Sequence, residues 1–355
     1  MKQKETITNL KKVSNMKATK FISACAVLVA LASCSNDLSQ QSAEDTPIRI
    51  QANVGGITTR AGSDIQSQYF DANEKIGIFL REHLESGEKS IISYTQPLEG
   101  EVQTSGANAA INISTQYYPS NGHGVDCLAI YPKQNESADI KNGMTTFSVQ
   151  TNQSNNDQYK ASDLMYAYTA NTTKSANAPI KLTFSHLLSK IIVEVCVEAN
   201  GSVDKSVLKD VCVDLKSVNK TIGITVSDMS QTVGSTTPTT AGSVALTSAV
   251  SNETTIVMGK PGVSTDDKKT NEVAAIIVPQ TIAKTKPFIQ VRLNNGSKDY
   301  ATYTYNVTAE SGLPFESGKS YKYTITLKSG SISVQSVEIT PWDPKTGGSG
   351  DAILD

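Results

Sequence analysis

Side chains that could perform catalysis or bind a metal are few in this sequence, and their spacing fits no standard site. The histidines His83, His123 and His186 lie far apart, and none has a neighbour at metal-ligand spacing. No G-x-S-x-G sequence is present to form a nucleophile elbow. The segment GLPFESGKS (312–320) resembles a phosphate-binding loop, but five residues separate its first two glycines where that motif has four. We therefore predict no catalytic residue, no metal site, no cofactor and no enzyme activity.

The N-terminus has the composition of an export signal. A lysine-rich stretch precedes FISACAVLVALAS (21–33), which is apolar but too short to span a bilayer comfortably. The apolar run ends in LASC, which resembles a bacterial lipobox with Cys34 as the lipidated first residue of the mature protein. We predict a lipoprotein signal peptide over 1–33, a lipid such as palmitate on Cys34, and a flexible tether over 34–46. An ordinary secretory signal with a chance cysteine is the alternative.

Short alternating segments predict β-strands throughout the mature chain. The first, IRIQANV (48–54), places aliphatic side chains on one face and polar side chains on the other. Its apolar face consists of Ile48, Ile50, Ala52 and Val54. Two glycines end this segment, and ITTRAGSD (57–64) follows, with Arg60 alone between small residues. Further strands are predicted at 75–80, 127–132, 163–168, 180–184, 190–198, 211–215, 222–226, 273–279, 288–293, 302–307, 321–327 and 332–339.

Almost no segment has a sustained helical period, and Asn-Gly turns separate many of the strands. Strands without helices between them exclude a parallel βαβ sheet. We predict an all-β protein with two tandem antiparallel β-sandwich domains, of Greek-key or transthyretin-like type, after the signal peptide. The predicted ranges are 47–178 for the N-terminal sandwich, 179–342 for the C-terminal sandwich and 343–355 for a Gly-rich tail. A polar segment, 231–243, is predicted to be a loop within the second domain.

The net charge of the chain limits the classes of partner that it could bind. The net charge is −2, and lysines and arginines are scattered after residue 20, so nucleic-acid binding is not indicated.

Cys127, Cys196 and Cys212 remain in the mature chain, and their odd number allows at most one disulfide. Buried thiols are the favoured interpretation, and whether Cys196 and Cys212 pair stays open. His186 follows an apolar strand and is predicted to be a half-buried, hydrogen-bonded imidazole.

The order of these elements resembles the fimbrillin family, the subunits of type V pili. The resemblance covers nearly the whole mature chain and rests on order and spacing rather than on one specific motif. Its elements, in sequence, are the lipobox, the strand followed by an arginine, EKIGIFL, a strand that contains Tyr-Pro, DLMYAY, IKLTFSHLLSKIIVEV, SGKSYKYTITL and a late tryptophan, Trp342, in EITPWDP. The Gly-rich tail departs from this pattern because it does not alternate.

The resemblance implies a structural, tip or accessory subunit of a surface fimbrium that serves adhesion. Fimbrillins travel to the outer membrane as lipoproteins, an arginine-specific protease removes an N-terminal strand, and the vacated groove accepts a strand from the next subunit. By this resemblance the cut falls between Arg60 and Ala61, and strand 48–54 is displaced. The implied partners are other fimbrillin subunits in head-to-tail contact, the outer membrane through the lipid on Cys34 before cleavage, the protease, and a host or bacterial surface ligand.

Several alternatives stay open at the level of sequence. The donated strand could come from 331–342 or from AIL (352–354), and the chain could be a stalk, tip or anchor subunit. A lipid-anchored surface protein that binds glycans on its β-sandwiches is the alternative function. A glycoside hydrolase ranks below both, since two distant carboxylates could meet in the fold but no residue pattern points to such a pair.

Overall fold

The computed structural model describes residues 45–55, 69–133, 146–198 and 200–342, and within these ranges the chain is almost entirely β-structure. The predicted all-β class is therefore confirmed. A short helix α1 (Asn156–Ala161) and a 3-10 helix (Lys205–Asp210) interrupt the strands. None of the helices in the described ranges is long and apolar enough to cross a membrane. The strands are β1 (Ile50–Val54), β2 (Lys75–Glu82), β3 (Leu98–Val102), β4 (Ala109–Asn112), β5 (Val125–Tyr131), β6 (Thr146–Ser148), β7 (Met165–Thr172), β8 (Ile180–His186), β9 (Ser189–Val197), β10 (Val211–Val226), β11 (Val244–Gly259), β12 (Val273–Ile277), β13 (Gln280–Ile282), β14 (Pro287–Asn294), β15 (Asp299–Asn306), β16 (Leu313–Phe315), β17 (Lys319–Lys328) and β18 (Ser331–Pro341).

Seven strands form a closed barrel in the order β1-β4-β3-β2-β5-β7-β8. Neighbouring strands are antiparallel except β1 and β8, which run parallel and close the ring. Alternate side chains of each strand point inward and fill the barrel, as the two-residue period of a strand requires. Ile50, Ile78 and Phe184 are among the side chains buried there.

The remaining strands form a sandwich with its own core. One sheet has the order β11-β10-β14-β15, with β6 paired to β10, and the other has the order β12-β9-β17-β18. A two-stranded ribbon of β13 and β16 completes this part. Strands β9 and β17 pair in parallel, so this sheet, like the barrel, contains one parallel pair in an otherwise antiparallel arrangement. Val195, Phe288 and Tyr323 are buried between the sheets.

Strands β2 and β5 contribute to both cores. Ile78 and Cys127 lie in the barrel cluster, whereas the next residues, Phe79 and Leu128, lie in the sandwich cluster. A strand buried on both faces loses the alternation of apolar and polar residues. This dual burial explains why KIGIFL and CLAIYP are nearly continuous apolar runs.

The predicted domain boundary between residues 178 and 179 does not separate the strands of the barrel from those of the sandwich. Strand β6 precedes that boundary but pairs with β10 of the sandwich, and β8 follows it but closes the barrel. Apart from β6, the strands up to His186 therefore belong to the barrel and those after it to the sandwich and its ribbon, and the sheet of the N-terminal part is closed. A turn between two strands does not decide which sheet the second strand joins. All described residues belong to one compact unit, Glu44–Asp355.

The three cysteines in the described ranges are free thiols. Cys127 is buried inside the barrel, where burial raises the pKa of its thiol. Cys196 lies on β9 and Cys212 on β10, in different sheets of the sandwich. The favoured interpretation of the sequence, unpaired and partly buried thiols, agrees with this placement.

The connection between β10 and β11, residues 227–243, lies against the end of the barrel where β2 finishes. The Glu82 N–H donates to Gln231 Oε1 at 2.8 Å, and the Leu84 N–H donates to Thr239 Oγ1 at 2.9 Å. We call this connection the strap. The polar segment predicted as a loop is thus a contact between barrel and sandwich.

Beneath the strap, the carboxylate of Glu82 is fully buried. It accepts hydrogen bonds from the Ser90 hydroxyl at 2.9 Å, the Ile91 N–H at 2.7 Å and the Asn121 amide at 2.7 Å. The Nδ1 atom of His123 lies 2.6 Å from Oε1 of the same carboxylate. Burial by itself raises the pKa of Glu82, but the hydrogen bonds from Asn121, Ile91 and Ser90 outweigh it and hold the pKa below the ordinary glutamate value.

Acid should therefore destabilise the protein through Glu82. A group whose pKa is lower in the folded state contributes stability above its unfolded-state pKa, and that contribution is lost as the pH falls through the folded-state pKa. We expect Glu82→Gln to lower stability at neutral pH and to flatten the loss of stability below about pH 5. Urea unfolding followed by circular dichroism at several pH values measures both effects. Glu85→Gln, at an exposed neighbour, is the control, and equal acid slopes for Glu82→Gln and the wild type would contradict the assignment.

Candidate functional site: the slot filled by β1

Strand β1 fills a slot between two strands of the barrel. On one side it pairs antiparallel with β4, from Ile50 opposite Ile111 to Ala52 opposite Ala109. On the other side it pairs parallel with β8, and Ile50 lies opposite Ile180. Loss of a strand from the edge of an open sheet would expose one row of unpaired backbone groups. Loss of β1 would expose two edges, because the barrel closes around it.

The inward face of β1 is built from the residues that the sequence predicted. Ile48, Ile50 and Ala52 are buried in the barrel core, and Val54 is half-buried at its margin. Each of the larger side chains stabilises the fold by roughly 1.5–3 kcal/mol through burial. The polar residue Gln51 points the other way and is half-buried. The strand is therefore an integral part of the core rather than a surface addition.

Backbone hydrogen bonds hold β1 at both ends. Before the strand, the Ile48 N–H donates to Gln116 O at 2.8 Å. After it, the Gly55 N–H donates to Phe184 O at 2.7 Å, and a Cβ atom at position 55 would lie 2.9 Å from that oxygen. The absence of a side chain at Gly55 thus permits the close approach that seats the end of β1 on β8.

A cleft of about 300 Å³, a volume that includes its open mouth, lies where β1 ends. Its floor is aromatic, since the Phe70 ring makes edge contacts with Tyr131 at 5.2 Å and with Phe184 at 5.0 Å between ring centroids. The lining residues are Val54, Tyr69, Phe70, Glu74, Tyr131, Lys160, Asp163, Met165 and His186.

Charged groups in the cleft compensate one another. The Lys160 Nζ atom lies 3.0 Å from Glu74 Oε1, and the Tyr131 hydroxyl donates to the same carboxylate at 3.1 Å. Burial lowers the pKa of Lys160, but bonds to the carboxylates of Asp71 and Glu74 outweigh it and raise the pKa overall.

His186 stands at the wall of this cleft and is satisfied on two sides. Its Nδ1 atom lies 2.8 Å from Asp163 Oδ1, and its ring stacks on Trp342 with 4.0 Å between centroids and 3° between planes. The predicted hydrogen-bonded imidazole is found, although it is buried rather than half-buried. The contact with Trp342 was not predicted, because the two residues are 156 positions apart in sequence and no local pattern connects them.

The other predicted site residues fall in two groups. Cys34, Arg60 and Ala61 lie outside the described residues. The inward-facing residues of strand 48–54 lie together, three of them in the barrel core and Val54 packed against it. Within the described ranges, no cluster of three or more histidine, cysteine, aspartate or glutamate side chains could hold a metal ion.

Comparison with known proteins identifies the family. The sequence model described as fimbrillin-like matches residues 59–342, which is more than half of the chain. The chain belongs to the fimbrillin-like family. This finding confirms the resemblance seen in the order of its motifs. The matched region of this fimbrillin begins after β1 and ends at Trp342.

Proteins similar to this chain include a named sequence relative and two solved structures, and the two structures share its fold. A Bacteroides uniformis protein named "Putative fimbrium subunit Fim1C" is 24% identical over 339 residues, covering 94% of this chain and 98% of the relative. A crystal structure of a "putative cell adhesion protein" from Bacteroides uniformis is 18% identical, with a TM-score of 0.55 over 85% of this chain and 100% of that chain. One from Bacteroides ovatus is 17% identical, with a TM-score of 0.57 over 85% of this chain and 99% of that chain.

Truncation of a β1 side chain should show how much of the barrel depends on this strand. Ile50→Ala truncates a side chain that is buried in the barrel core, on a strand that is paired on both sides. We expect it to lower the free energy of unfolding by about 2–5 kcal/mol. Gln51→Ala, on the opposite face of the same strand, should cost less than about 1 kcal/mol. Urea denaturation gives both values. Equal effects of the two substitutions would show that β1 does not contribute to the core as described.

Proposed function

We propose that this fimbrillin is a structural, tip or accessory subunit of an adhesive surface fimbrium that assembles by strand exchange. In this proposal it is exported as an outer-membrane lipoprotein with its lipid on Cys34. An arginine-specific protease then cuts between Arg60 and Ala61. The cut separates the protein from its lipid and frees β1 to leave the barrel. Membership of the fimbrillin-like family and the named fimbrium relative support the subunit role.

The observation that carries the proposal is the two-sided pairing of β1 directly before the segment that contains Arg60. Strand β1 is bonded to β4 and β8, and the covalent chain continues from Gly55 toward Arg60. A cut there would leave β1 attached only by noncovalent contacts. The match to the family model begins at residue 59, after the strand that would be lost.

Loss of β1 would leave a binding site for an extended segment. The slot would present unpaired backbone groups on β4 and β8 and an apolar floor where Ile48 and Ile50 had packed. A strand added to an exposed sheet edge gains main-chain hydrogen bonds, and its alternate side chains fill the pockets below. When the strand comes from another copy, the contact is head-to-tail and propagates into a fibre.

The C-terminal part of the chain supplies the candidate donors. Strand β18 pairs with β17 from Lys319 opposite Pro341 to Lys328 opposite Ser331, so it completes its own sandwich in the closed monomer. It would have to leave β17 to serve a neighbour. The second candidate, residues 352–354, lies outside the described residues.

Substitution of Arg60 tests the maturation step. We expect the Arg60→Ala protein to remain lipidated and monomeric on cells, because the protease has no arginine to recognise before Ala61. Arg49→Ala is the matched control, since Arg49 is an exposed arginine eleven residues earlier, and it should mature normally. N-terminal sequencing of surface protein and electron microscopy of fibres provide the measurements. Normal fibres from Arg60→Ala would refute cleavage at this site.

A peptide that reproduces the displaced strand tests the slot directly. The purified protein is first cut with an arginine-specific protease, and the fragment that contains β1 is removed. The remaining protein is then incubated with a synthetic peptide of residues 46–56. We expect the peptide to rebind and to block polymerisation of the cut subunits, because it occupies the position of the donor. A peptide with aspartate in place of Ile50 should fail, since the barrel core excludes an unpaired charge. Light scattering follows polymer growth, and equal inhibition by both peptides would contradict the proposed slot.

A further inference from the structure

The chain is poor in arginine but not in basic residues. Of its 32 lysines and arginines, only Arg49, Arg60, Arg81 and Arg292 are arginines. Either side chain supplies a positive charge on a protein surface. The protease of the proposed maturation is specific for arginine, so the choice between the two residues decides which bonds it can cut.

Lysine occupies the exposed basic positions between strands. In the described part of the chain after Gly55, both arginines lie within strands. The exposed basic residues of the connections there are Lys89, Lys174, Lys260, Lys268, Lys284, Lys286 and Lys298. Proteases cut folded proteins at exposed connections more readily than within sheets. The described connections therefore offer an arginine-specific protease no residue that it accepts.

Arg292 is held by strand pairing and by two carboxylates. It lies on β14, opposite Cys212 of β10 on one side and Thr302 of β15 on the other. Its Nε atom donates to Asp214 Oδ2 at 2.7 Å, and its Nη1 atom donates to Asp299 Oδ2 at 3.2 Å. A guanidinium bound to two carboxylates in this way is not available to the specificity pocket of a protease.

Arg81 lies on β2 beneath the strap, and its side chain is only 8% exposed. Its Nε atom donates to Asp126 Oδ2 at 3.3 Å. Its two terminal nitrogens donate to the carbonyls of Asp228 and Thr240, which belong to the strap. A protease would reach this side chain only after local unfolding of the strap.

Arg49 is exposed, but the peptide bond that follows it is held by the barrel. The Arg49 carbonyl accepts from the Ile180 N–H at 2.7 Å, and the Ile48 N–H donates to Gln116 O at 2.8 Å. Proteases that form a tetrahedral intermediate bind the oxygen of the cleaved carbonyl in an oxyanion hole. At Arg49 this oxygen already has a partner on β8. A cut there would sever the lipid and leave β1 joined to the rest of the subunit.

We infer that the placement of arginine and lysine confines the protease to Arg60. The other arginines lie in hydrogen-bonded backbone, and lysine is used where the described connections are exposed. Lys174 illustrates the consequence, because the connection 173–179 joins β7 to β8. A cut there would separate β8, one wall of the slot, from the preceding strands of the barrel. The inference rests on the proposed function and adds its specificity, namely how the subunit survives the protease that matures it.

Exchange of lysine for arginine at position 174 tests the inference. The purified chain is digested under native conditions with an arginine-specific or a lysine-specific protease, and the fragments are identified by mass spectrometry. We expect the arginine-specific protease to leave the wild type intact from Ala61 to Asp355. It should also cut Lys174→Arg after residue 174, about tenfold or more faster than after any other arginine beyond Arg60. The lysine-specific protease should cut at this position in the wild type only.

Lys322→Arg is the matched control. It makes the same replacement on β17, where residue 322 lies opposite Ile192 of β9 and Glu338 of β18. Because its backbone is paired on both sides, this variant should give the wild-type pattern with the arginine-specific protease. A wild-type pattern from Lys174→Arg would overturn the inference. So would cuts in the wild type after Arg49 or Arg292 that are as fast as the cut after Arg60.

The digestion and the maturation experiment fail independently. Resistance of Lys174→Arg would refute the role of residue choice and leave cleavage at Arg60 standing. Normal maturation and fibre assembly by Arg60→Ala on cells would refute the proposed function, and the inference would fall with it, although cleavage of purified Lys174→Arg after residue 174 would not change.

Discussion

The parallel pairing of β1 with β8 is the contact on which the rest of the N-terminal structure depends. It joins the first described strand to the last strand of the barrel and turns a row of antiparallel neighbours into a closed ring. Closure removes sheet edges, which are otherwise sites of unwanted pairing. It also places Ile50 and Ala52 in a common core with side chains from across the barrel. A strand that closes a ring in this way is stable where it lies, and its loss would create a site of defined shape.

The two ends of the barrel are built differently, as the directions of the strands show. At the end where β1 and β8 finish, the cleft contains Asp163 and His186 with an opening between side chains. At the opposite end, where β2 finishes, the strap lies over the buried carboxylates of Glu82 and Asp126. Asp126 accepts from the Asn171 N–H at 2.7 Å and contacts the His83 ring at 2.8 Å. Satisfied buried charges of this kind fix one arrangement, because an unpaired charge there would be costly.

The sandwich supports the barrel from outside. Strands β2 and β5 bury one face in each core, so the wall of the barrel that faces the sandwich has packing partners that do not depend on β1. The strap adds hydrogen bonds from the loop between β10 and β11. In the proposed strand exchange, this support would keep the slot open after β1 has left.

The sequence by itself determined the all-β class, most of the long strands and the inward face of β1, because alternation along a strand is a local property with a period of two residues. The roles of Cys34 and Arg60 stay predictions, since both residues lie outside the described ranges. Strands β4 and β6 were missed because three or four residues contain too little alternation to detect. Strand β11 was missed despite its 16 residues, because its apolar and polar residues do not alternate and few of its side chains are buried. Only the tertiary structure decided that β8 joins the barrel, that β1 is paired on both sides and that Trp342 rests on His186. The contacts of β1 with β4, of β1 with β8 and of His186 with Trp342 join residues 61, 130 and 156 positions apart, and the packing of a whole core, not any local pattern, selects them.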